Sequence, residues 1–534
     1  MLTPSRDGRT REIGNRDVSD TGELFPEWVD FMATTYVTTV NTGAGPVFTP
    51  ASGDTIFVSD TGLVGSTSGD AFAASGISGF DLYVDGTVFG DARAVDLNSF
   101  TGNFRLDVGT GGRVSGDQSA IEVVGSEANI ATILNSGIIT SHNDTVVLYG
   151  FEDIEVTNTG FIGSSAAGSD NYLNAVFLGA TNTRIVNHGT IQAQSDNRVT
   201  DDATITGYNN GASGEVFNLV NTGNISGTVA IVTENKVDHV TNAGVIEGLV
   251  DIGSTHRLNF IEDSHDDVFE NSGTVIGDVL LGGGDDQFLG ENGQVNGTIY
   301  AGSGNDIIWS GIGNDIINGG TGRDKMYGGA GNDTATYEDS SAGVRVNLTS
   351  NRGRGGEARG DWLFDIENLI GSDYDDTLIG DADSNILEGG DGADTLNGEG
   401  GNDFLFGGSG DDTLIGGDGD DILNGGLDRD ILWGGEGIDI FEFLDVAESG
   451  IGSSRDVIKD FEQGVDLIDL AAVGATSFSA GGFTNTAGEV TYKLIGGGTK
   501  TVIEYDHDGD GAADFQLLMT NGGFTMTADD FILG

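Results

Sequence analysis

The amino-acid sequence predicts an all-β protein in which an N-terminal parallel β-helix is followed by a parallel β-roll and a C-terminal β cap. Three observations predict this fold class. Asn-x-Gly turns recur between short β-branched segments in the first half, nine-residue repeats follow one another in the second half, and the 534 residues include 91 Gly but only 4 Pro. Such periodic sequences are typical of solenoids, in which each repeat stacks on its neighbours.

Changes in the repeat pattern divide the chain into six segments. They are an N-terminal segment (1–34), a β-helix-like domain (35–300), a first nonapeptide run (301–336), an insertion (337–370), a second nonapeptide run (371–442) and a C-terminal cap (443–534). In the insertion, the alternating segment VRVNL predicts a strand and SNRGRGGEARG predicts a loop. The insertion also carries four arginines, Arg345, Arg352, Arg354 and Arg359, in an otherwise acidic chain.

The first half carries a loose repeat of Asn-x-Gly turns, roughly every 20 to 34 residues. The asparagines are Asn135, Asn158, Asn187, Asn221, Asn242 and Asn271, with a degenerate copy at Glu291-Asn292-Gly293. Asparagine tolerates the left-handed backbone region and can stack as a ladder from coil to coil. We therefore expect a parallel β-helix. The alternative, a β-sandwich, would place turns about every 8–12 residues.

From Gly371 to Glu442 the chain consists of eight consecutive nonapeptides of the form G-G-x-G-x-D-x-U-x, where U is apolar. A shorter run of the same repeat spans Ala301–Thr336, and a lone copy, LGGGDDQFL, lies at Leu281–Leu289. The apolar residue at position eight is constant in character: Leu378, Leu387, Leu396, Leu405, Leu414, Leu423, Leu432 and Phe441. A flexible acidic linker would not need an apolar residue at the same position of every repeat. We therefore expect a folded stack with two repeats to each coil of about 18 residues.

The composition of the nonapeptide predicts a metal site. Glycines permit positive φ, which lets carbonyl oxygens point inward, and position six adds a carboxylate. Stacking brings these carboxylates close together, which is unfavourable unless a cation lies between them. Carboxylate and carbonyl oxygens suit calcium better than magnesium, and zinc would require His or Cys ligands, which these runs lack.

Over about Leu281–Gly534 these motifs resemble the RTX (repeats-in-toxin) proteins, whose β-roll binds calcium through this nonapeptide. The resemblance implies several Ca²⁺ ions, each between one turn and the turn two repeats later, hence about six sites in the long run and about two in the short run. It assigns the metal to the position-six residues Asp306, Asp315, Asp324, Asp333, Asp376, Asn385, Asp394, Asp403, Asp412, Asp421, Asp430 and Asp439. Departures from the repeat lower that number. Asn385 lacks a charge, the first copy after the insertion is poor in glycine, and the glycine of position four is replaced by Tyr374, Asp383 and Asp428.

The last segment resembles a serralysin-type C-terminal domain in DVIKDFEQGVDLIDL and TADDFILG. The resemblance implies an uncleaved type I secretion signal, the type I secretion machinery as a partner, and a secreted, extracellular protein. The N-terminus has no apolar core that could act as a cleavable signal. The loop Asp506–Gly511 with Asp514 begins like an acidic calcium loop, although Leu517 replaces the glutamate of an EF-hand. It is either a further calcium site or an acidic hairpin turn.

Charge and composition exclude several functions. The 85 acidic and 22 basic side chains give a formal charge of -63, which repels nucleic acid and anionic lipid. An acidic halophilic surface is the alternative explanation for charge alone. No apolar run approaches the roughly 18 residues of a membrane span, so we expect no membrane insertion and disfavour a cytolytic toxin. The absence of cysteine excludes disulfides and thiolate metal sites.

The sequence contains no H-E-x-x-H protease motif and no G-x-S-x-G nucleophile elbow. The best catalytic candidate is the polar cluster Glu262, Asp263, His265, Asp266 and Asp267. It is either the acid–base pair of a polysaccharide lyase, epimerase or glycosidase, or a solvated turn or calcium ligand continuous with LGGGDDQFL.

The leading hypothesis is a non-enzymatic, secreted calcium-binding protein whose β-helix is an adhesive or structural shaft, with cell-surface or matrix polysaccharide as a partner. The alternative is a β-helix polysaccharide-active enzyme that carries an RTX secretion domain. In calcium-poor cytosol the repeats are expected to stay unfolded, and to fold when they meet calcium outside the cell.

Overall fold

The computed structural model contains almost no regular structure other than β-strand. It describes residues 11–12, 35–37, 40–43, 46–126, 129–166, 174–195, 203–208, 216–234, 237–254, 264–290 and 292–534. The chain divides into two compact units, Met1–Tyr300 and Ala301–Gly534. Within the described ranges the one helical element is the short 3-10 helix Ala528–Asp530, and no helix has the length and apolar character needed to cross a membrane.

The first unit is a parallel β-helix with three faces, each formed by one parallel ladder. The first ladder contains Arg11–Glu12, Thr35–Val37, Asp54–Val58, Phe80–Val84, Phe104–Val108, Ile130–Asn135, Val146–Asn158, Val176–Asn187, Val216–Asn221, Val237–Asn242, Val268–Asn271 and Gln287–Leu289. The second contains Val40–Gly43, Leu63–Ser66, Thr87–Gly90, Arg113–Gly116, Ile138–Ser141, Phe161–Ala166, Thr190–Ser195, Asn224–Glu234, Val245–Ser254, Thr274–Ile276 and Gln294–Asn296. The third contains Phe72–Ser75, Arg93–Asn98, Ser119–Val124, Ala203–Tyr208, Val279–Leu280 and Thr298–Tyr300.

Four long strands turn a corner and contribute to two faces each. Val146–Asn158, for example, pairs with Ser119–Val124 through its first residues and with Ile130–Asn135 through its last. The interior is filled by apolar residues in register, such as Leu82, which pairs with Leu106 and is fully buried. Because each coil buries its apolar side chains only against its neighbours, the β-helix is stabilised by stacking.

The recurring asparagines form a buried ladder, as the sequence predicts. The Nδ2 of each donates to the Oδ1 of the next: Asn135 to Asn158, Asn158 to Asn187, Asn187 to Asn221, Asn221 to Asn242 and Asn242 to Asn271, all at 2.8–2.9 Å. Each Oδ1 also accepts from the backbone N–H of the glycine two residues later, as Asn187 does from Gly189 at 3.2 Å. The side chain therefore closes its own turn and fixes the spacing to the next coil.

The second unit is a β-roll with two faces. One ladder runs through Ile307–Ile312, Lys325–Ala330, Trp362–Phe364, Arg352–Arg354, Arg345–Asn347, Thr377–Ile379, Thr395–Gly400, Thr413–Asp418, Ile431–Glu436, Asp456–Ile458 and Phe515–Met519. The other runs through Ile316–Asn318, Thr334–Thr336, Asn368–Ile370, Ile386–Asp391, Phe404–Ser409, Ile422–Leu427, Ile440–Glu442, Leu467–Asp469 and Phe531–Ile532. A two-stranded ladder joins Ser303–Gly304 to Thr321–Gly322.

Strands in the long nonapeptide run stack one coil, or 18 residues, apart. Thr395 pairs with Thr377 on one side and Thr413 on the other, and the position-eight residue beside it, Leu396, is fully buried. Six of these strands span six residues, because each continues into the first residues of the next repeat, which are a glycine pair in five strands and Gly398-Glu399 in the sixth. The all-β fold class with a β-helix, a β-roll and a β cap is confirmed.

The insertion corrects one prediction. Arg345–Asn347 is a strand, as VRVNL predicts, but the segment predicted to be a loop contains the strand Arg352–Arg354. This strand pairs antiparallel with Arg345–Asn347 on one side and with Trp362–Phe364 on the other. The insertion thus continues one face of the roll with an antiparallel segment. Gly353 is buried, and an added Cβ at this position would collide with the carbonyl oxygen of Ala358.

The C-terminal cap closes the roll with antiparallel strands. Glu489–Ile495, Lys500–Asp506 and Phe515–Met519 form an antiparallel sheet, and Ser477–Phe478 pairs with the first of these. Phe515–Met519 also pairs with Asp456–Ile458 and thereby covers the end of one ladder. Covering the strand edge removes unpaired backbone groups from the end of the stack.

Candidate metal centre

The position-six aspartates form a ladder of carboxylates inside the turns of the β-roll, which we call the acidic ladder. In the long run, one carboxylate oxygen of each aspartate from Asp394 to Asp439 accepts a hydrogen bond from the backbone N–H of the position-six residue one coil earlier. Asp394 accepts from Asp376, and Asp412 accepts from Asp394, each at 2.7 Å. The same bond joins Asp403 to Asn385, Asp421 to Asp403, Asp430 to Asp412 and Asp439 to Asp421 at 2.7–3.1 Å. The side chains are thereby held in register.

The second oxygen of these carboxylates is buried and receives no hydrogen bond. Among the described residues, the Oδ2 atom is buried without a hydrogen bond in Asp333, Asp394, Asp403, Asp412, Asp421, Asp430 and Asp439. All seven residues are at most 1% exposed. Burying an unpaired carboxylate oxygen is costly, and a repeated series of them requires protons or a cation.

Burial raises the pKa of the carboxyl groups in the acidic ladder. It raises the pKa of Asp412 and Asp430 to about 8, and that of Asp394, Asp403 and Asp439 to about 7. Loss of hydration is the main cause, nearby carboxylates add to it, and the backbone hydrogen bond opposes it. A bare ladder would therefore hold protons near neutral pH, whereas a bound cation would replace them.

Glycine allows the turns to bring backbone carbonyls beside the carboxylates. Gly408 and Gly410, at positions two and four of one repeat, have φ of 111° and 134°. A Cβ on either would collide with the carbonyl oxygen of Gly390 or Gly392 in the coil before. The donors within reach are thus carboxylate and carbonyl oxygens, without nitrogen or sulfur, so the residues present fit a hard cation such as Ca²⁺.

The departures noted in the sequence have distinct structural consequences. Asn385 donates its Nδ2 to the carbonyl oxygen of Glu367 at 2.7 Å, and its Oδ1 accepts from Asp381 N at 2.8 Å. It therefore offers the turn no ionised oxygen. Asp428 keeps the left-handed backbone of the glycine it replaces, with φ of 81°. Tyr374 and Asp383 do not adopt positive φ, so their turns differ from the repeat.

The first run and the insertion continue the same hydrogen-bond pattern. Asp324 accepts from Asp306 N, and Asp333 from Asp315 N, both at 2.9 Å. Two residues that the repeat template misses extend these columns: Asp361 accepts from Asp324 N at 3.0 Å and Glu367 from Asp333 N at 2.8 Å. Burial raises the pKa of Asp361 to about 7.

Two more acidic residues extend the ladder into the cap. Asp456 accepts from Asp430 N at 2.9 Å, and Asp466 accepts from Asp439 N at 3.2 Å. The Oδ2 of Asp456 is also buried without a hydrogen bond. All four added residues share one signal, an acidic residue two positions before a buried apolar residue, as in Asp456-Val457-Ile458. These segments lack the glycines of the nonapeptide template, so the template does not detect them in the sequence.

The polar cluster proposed as a catalytic site is arranged as a turn of the same kind. Asp267 is fully buried and accepts from Asp238 N at 2.7 Å, while Asp286 in turn accepts from Asp267 N at 2.7 Å. The neighbouring Asp266 accepts from Asp285 N at 2.8 Å. These bonds join the cluster to the turn of LGGGDDQFL. His265 is half-buried, and Glu262 and Asp263 lie outside the described residues.

The acidic loop near the C-terminus brings Asp506, Asp508 and Asp514 together, with one carboxylate oxygen of each within 4.8 Å of the others. Internal turn bonds account for the buried member, because the Asp506 carboxylate accepts from Gly509 N at 2.7 Å and Gly511 N at 2.8 Å. The geometry fits both predictions, an acidic hairpin turn and a group of three carboxylates that could hold a cation.

Comparison with known proteins agrees with this geometry. Residues 300–335 match the family model of the RTX calcium-binding nonapeptide repeat (4 copies), and residues 363–533 match that of the peptidase M10 serralysin C-terminal domain. A search of curated proteins finds no match.

Two solved structures that match come from the mannuronan C5-epimerase of Azotobacter vinelandii. The AlgE6R3 subunit is 30% identical, with 31% of this chain and 81% of that chain covered and a TM-score of 0.23. The AlgE6R2 subunit is 28% identical, with 31% and 91% covered and a TM-score of 0.21. The family matches identify the second unit of this chain as an RTX calcium-binding repeat region with a serralysin-like C-terminal domain.

Proposed function

We propose that this chain is a secreted RTX protein whose β-roll folds around several Ca²⁺ ions after export by a type I secretion machinery. The observation that carries the proposal is the series of buried carboxylate oxygens that receive no hydrogen bond. Bound calcium would supply positive charge between the turns. The aspartates would then be held as anions by the ion on one oxygen and by the backbone N–H on the other.

The ligands that we propose are the position-six residues, together with glycine carbonyls of the same turns. They are Asp306, Asp315, Asp324, Asp333, Asp376, Asp394, Asp403, Asp412, Asp421, Asp430 and Asp439, with Asn385 as a weaker, uncharged member. The C-terminal cap supports this assignment, because Asp456 and Asp466 continue both columns of carboxylates beyond the last repeat.

Export unfolded and folding outside the cell follow from the same chemistry. Without calcium, ionised carboxylates would be buried beside one another, and the folded roll would be unstable. Extracellular calcium sites of this type are tuned to about 10⁻⁴–10⁻³ M, so cytosolic calcium would leave the roll unfolded. Calcium binding energy then becomes folding energy after export.

We further propose that the β-helix of the first unit is a structural or adhesive shaft. The support is its repeated construction, with a mostly apolar interior in the residues that the structure describes and the buried asparagine ladder. Of the acidic residues that were candidates for catalysis, Asp266 and Asp267 are engaged in turn hydrogen bonds, which favours a scaffold over an enzyme.

Equilibrium dialysis of the full chain against Ca²⁺ tests the central proposal. We expect several ions per chain at about millimolar calcium, and Mg²⁺ at the same concentration should not replace them. Fewer than one ion per chain would contradict the proposal.

A further inference from the structure

The insertion, together with Lys325 of the first nonapeptide run, concentrates positive charge on the outer side of one sheet of the β-roll. Lys325, Arg345, Arg352 and Arg354 are all exposed, and they alternate along their strands with buried residues. Their charges are grouped in a chain that has 22 basic and 85 acidic side chains. Such a cluster of positive charges is unexpected in a protein with this excess of acidic side chains.

Strand register places an aromatic side chain between two of these cations. Trp362 lies opposite Lys325 on one neighbouring strand and opposite Arg352 on the other. The Arg352 guanidinium carbon is 3.8 Å from the centroid of the Trp362 ring, which is a cation–π contact. This contact places the Arg352 guanidinium over the Trp362 ring.

A row of stacked rings lies beside this position. The Trp309 and Tyr327 centroids are 4.1 Å apart, and those of Tyr327 and Phe364 are 4.8 Å apart, with the ring planes within 13° of parallel. Trp309 is 41% exposed. We call the four cations with Trp362 and this stack the basic–aromatic surface.

The placement of Arg345 and Arg354 is unfavourable for folding. Arg345 and Arg354 lie directly opposite each other on paired strands, and like charges in that position are destabilising. Among the residues that the structure describes, none of the four cations forms an ion pair. They therefore do not act as counter-ions for the acidic ladder, and an external anion would relieve their repulsion.

We propose that the basic–aromatic surface binds an anionic polysaccharide built from carboxylated sugars. Each guanidinium presents a fork of N–H donors that matches a carboxylate, and exposed aromatic rings pack against the apolar faces of sugar rings. A nucleic acid fits less well, because its charge, one per about 1.7 Å of duplex, would be repelled by the surrounding acidic surface. The inference rests on the adhesive role proposed above and names its partner.

Binding of the calcium-loaded full chain to immobilised polymers tests the proposal. Polygalacturonate is the carboxylated polymer, dextran the neutral one, and single-stranded DNA the alternative polyanion. We expect binding to polygalacturonate that weakens with added salt, and no comparable binding to dextran or DNA. Tighter binding to DNA than to polygalacturonate, or equal binding to dextran, would overturn the proposal.

Two pairs of variants locate the site. The double variant Arg345→Gln/Arg354→Gln should weaken polygalacturonate binding about tenfold or more, whereas Lys459→Gln/Lys500→Gln, which removes the same charge elsewhere in the second unit, should change it by less than about threefold. Equal effects of the two double variants would show a general charge effect and refute the assigned surface.

The second pair tests the aromatic stack. Trp309→Ala should weaken binding, whereas Trp433→Ala should not, although both tryptophans are 41% exposed. Calcium content and circular dichroism are measured on every sample. A chain that binds no calcium would contradict the proposed function. A folded, calcium-loaded chain that does not bind polygalacturonate would refute only this inference.

Discussion

Seven buried aspartates of the acidic ladder have two oxygens in different surroundings: Asp333, Asp394, Asp403, Asp412, Asp421, Asp430 and Asp439. One oxygen accepts a backbone hydrogen bond from the coil before, as Asp412 does from Asp394 N. The other is buried without a donor. The first bond fixes the geometry of the turn, and the second oxygen is left for a cation. A single residue thus links the fold of the repeat to its chemistry.

Asp412→Asn should reduce the number of calcium ions bound and lower the thermal unfolding temperature in calcium by several degrees. An amide can preserve the backbone hydrogen bond, but it supplies no charge to the ion. Calorimetry and equilibrium dialysis in millimolar Ca²⁺ measure both effects. Asp418→Asn removes an exposed carboxylate from the following repeat and should leave both values unchanged. Similar losses in the two variants would indicate that only total charge matters.

The stability of the roll should depend on pH in opposite directions with and without calcium. Burial raises the pKa of Asp412 and Asp430 to about 8, whereas an unfolded aspartate titrates near 3.9. Between about pH 4 and pH 8 the metal-free folded state therefore holds more protons than the unfolded state, and its free energy of unfolding falls as pH rises. In chelator, strand content should be higher at about pH 5 than at about pH 8.

With calcium the protons compete with the metal, so calcium affinity should decrease as pH falls from about 8 to about 5. Circular dichroism in chelator and calcium titrations at the two pH values give the comparison. A metal-free roll with the same strand content at both pH values would argue against the buried carboxylates as its source of instability.

At the scale of elements, the two units use different side chains to fix the spacing of their coils. The β-helix uses buried asparagines whose amides bond to one another, and the β-roll uses carboxylates that bond to backbone N–H groups. The ladder of amides is neutral, and its members hydrogen-bond to one another. The ladder of carboxylates is charged when ionised and needs a cation or protons to be stable. We therefore expect the first unit to stay folded in chelator and the second to unfold.

Asn187→Ala should destabilise the β-helix by about 1–3 kcal/mol, because it leaves the buried amides of Asn158 and Asn221 each without one partner. Thermal unfolding in chelator isolates this unit. Asn182→Ala is the control, since Asn182 makes an exposed hydrogen bond to Asp153 and should cost less than about 0.5 kcal/mol. A similar loss of stability in both variants would show that the asparagine ladder does not stabilise the β-helix.

Much of the fold follows from the sequence because both repeats carry their own signals. The apolar residue at position eight predicts the interior of the roll, and the Asn-x-Gly turns predict the asparagine ladder. The strand Arg352–Arg354 does not follow, because its arginines and glycines are typical of loops and its pairing depends on Trp362–Phe364. Tertiary contact decides that segment.

The metal centre follows from the sequence only in part. The position-six column is visible in each nonapeptide, but its extension through Asp361, Glu367, Asp456 and Asp466 is not. Those residues lack the glycines of the template and keep only the apolar residue two positions later. Their place in the ladder is evident only from the backbone N–H groups that they accept.

At the scale of the whole molecule, we propose that the formal charge of -63 makes calcium part of the folding reaction. On this proposal, binding of the ion and formation of the roll are one equilibrium, and the stability of the second unit should increase with calcium concentration. The C-terminal cap completes that unit, because its strands cover both ladders at their ends.

Hydrogen–deuterium exchange of the full chain, with and without calcium, tests the central claim most directly. The backbone N–H groups of Asp376, Asp394 and Asp412 donate to the ladder carboxylates. We predict that these amides are protected in millimolar Ca²⁺ and exchange rapidly in chelator, while the amides of the β-helix stay protected in both. Equal protection of residues 371–442 with and without calcium would contradict the account.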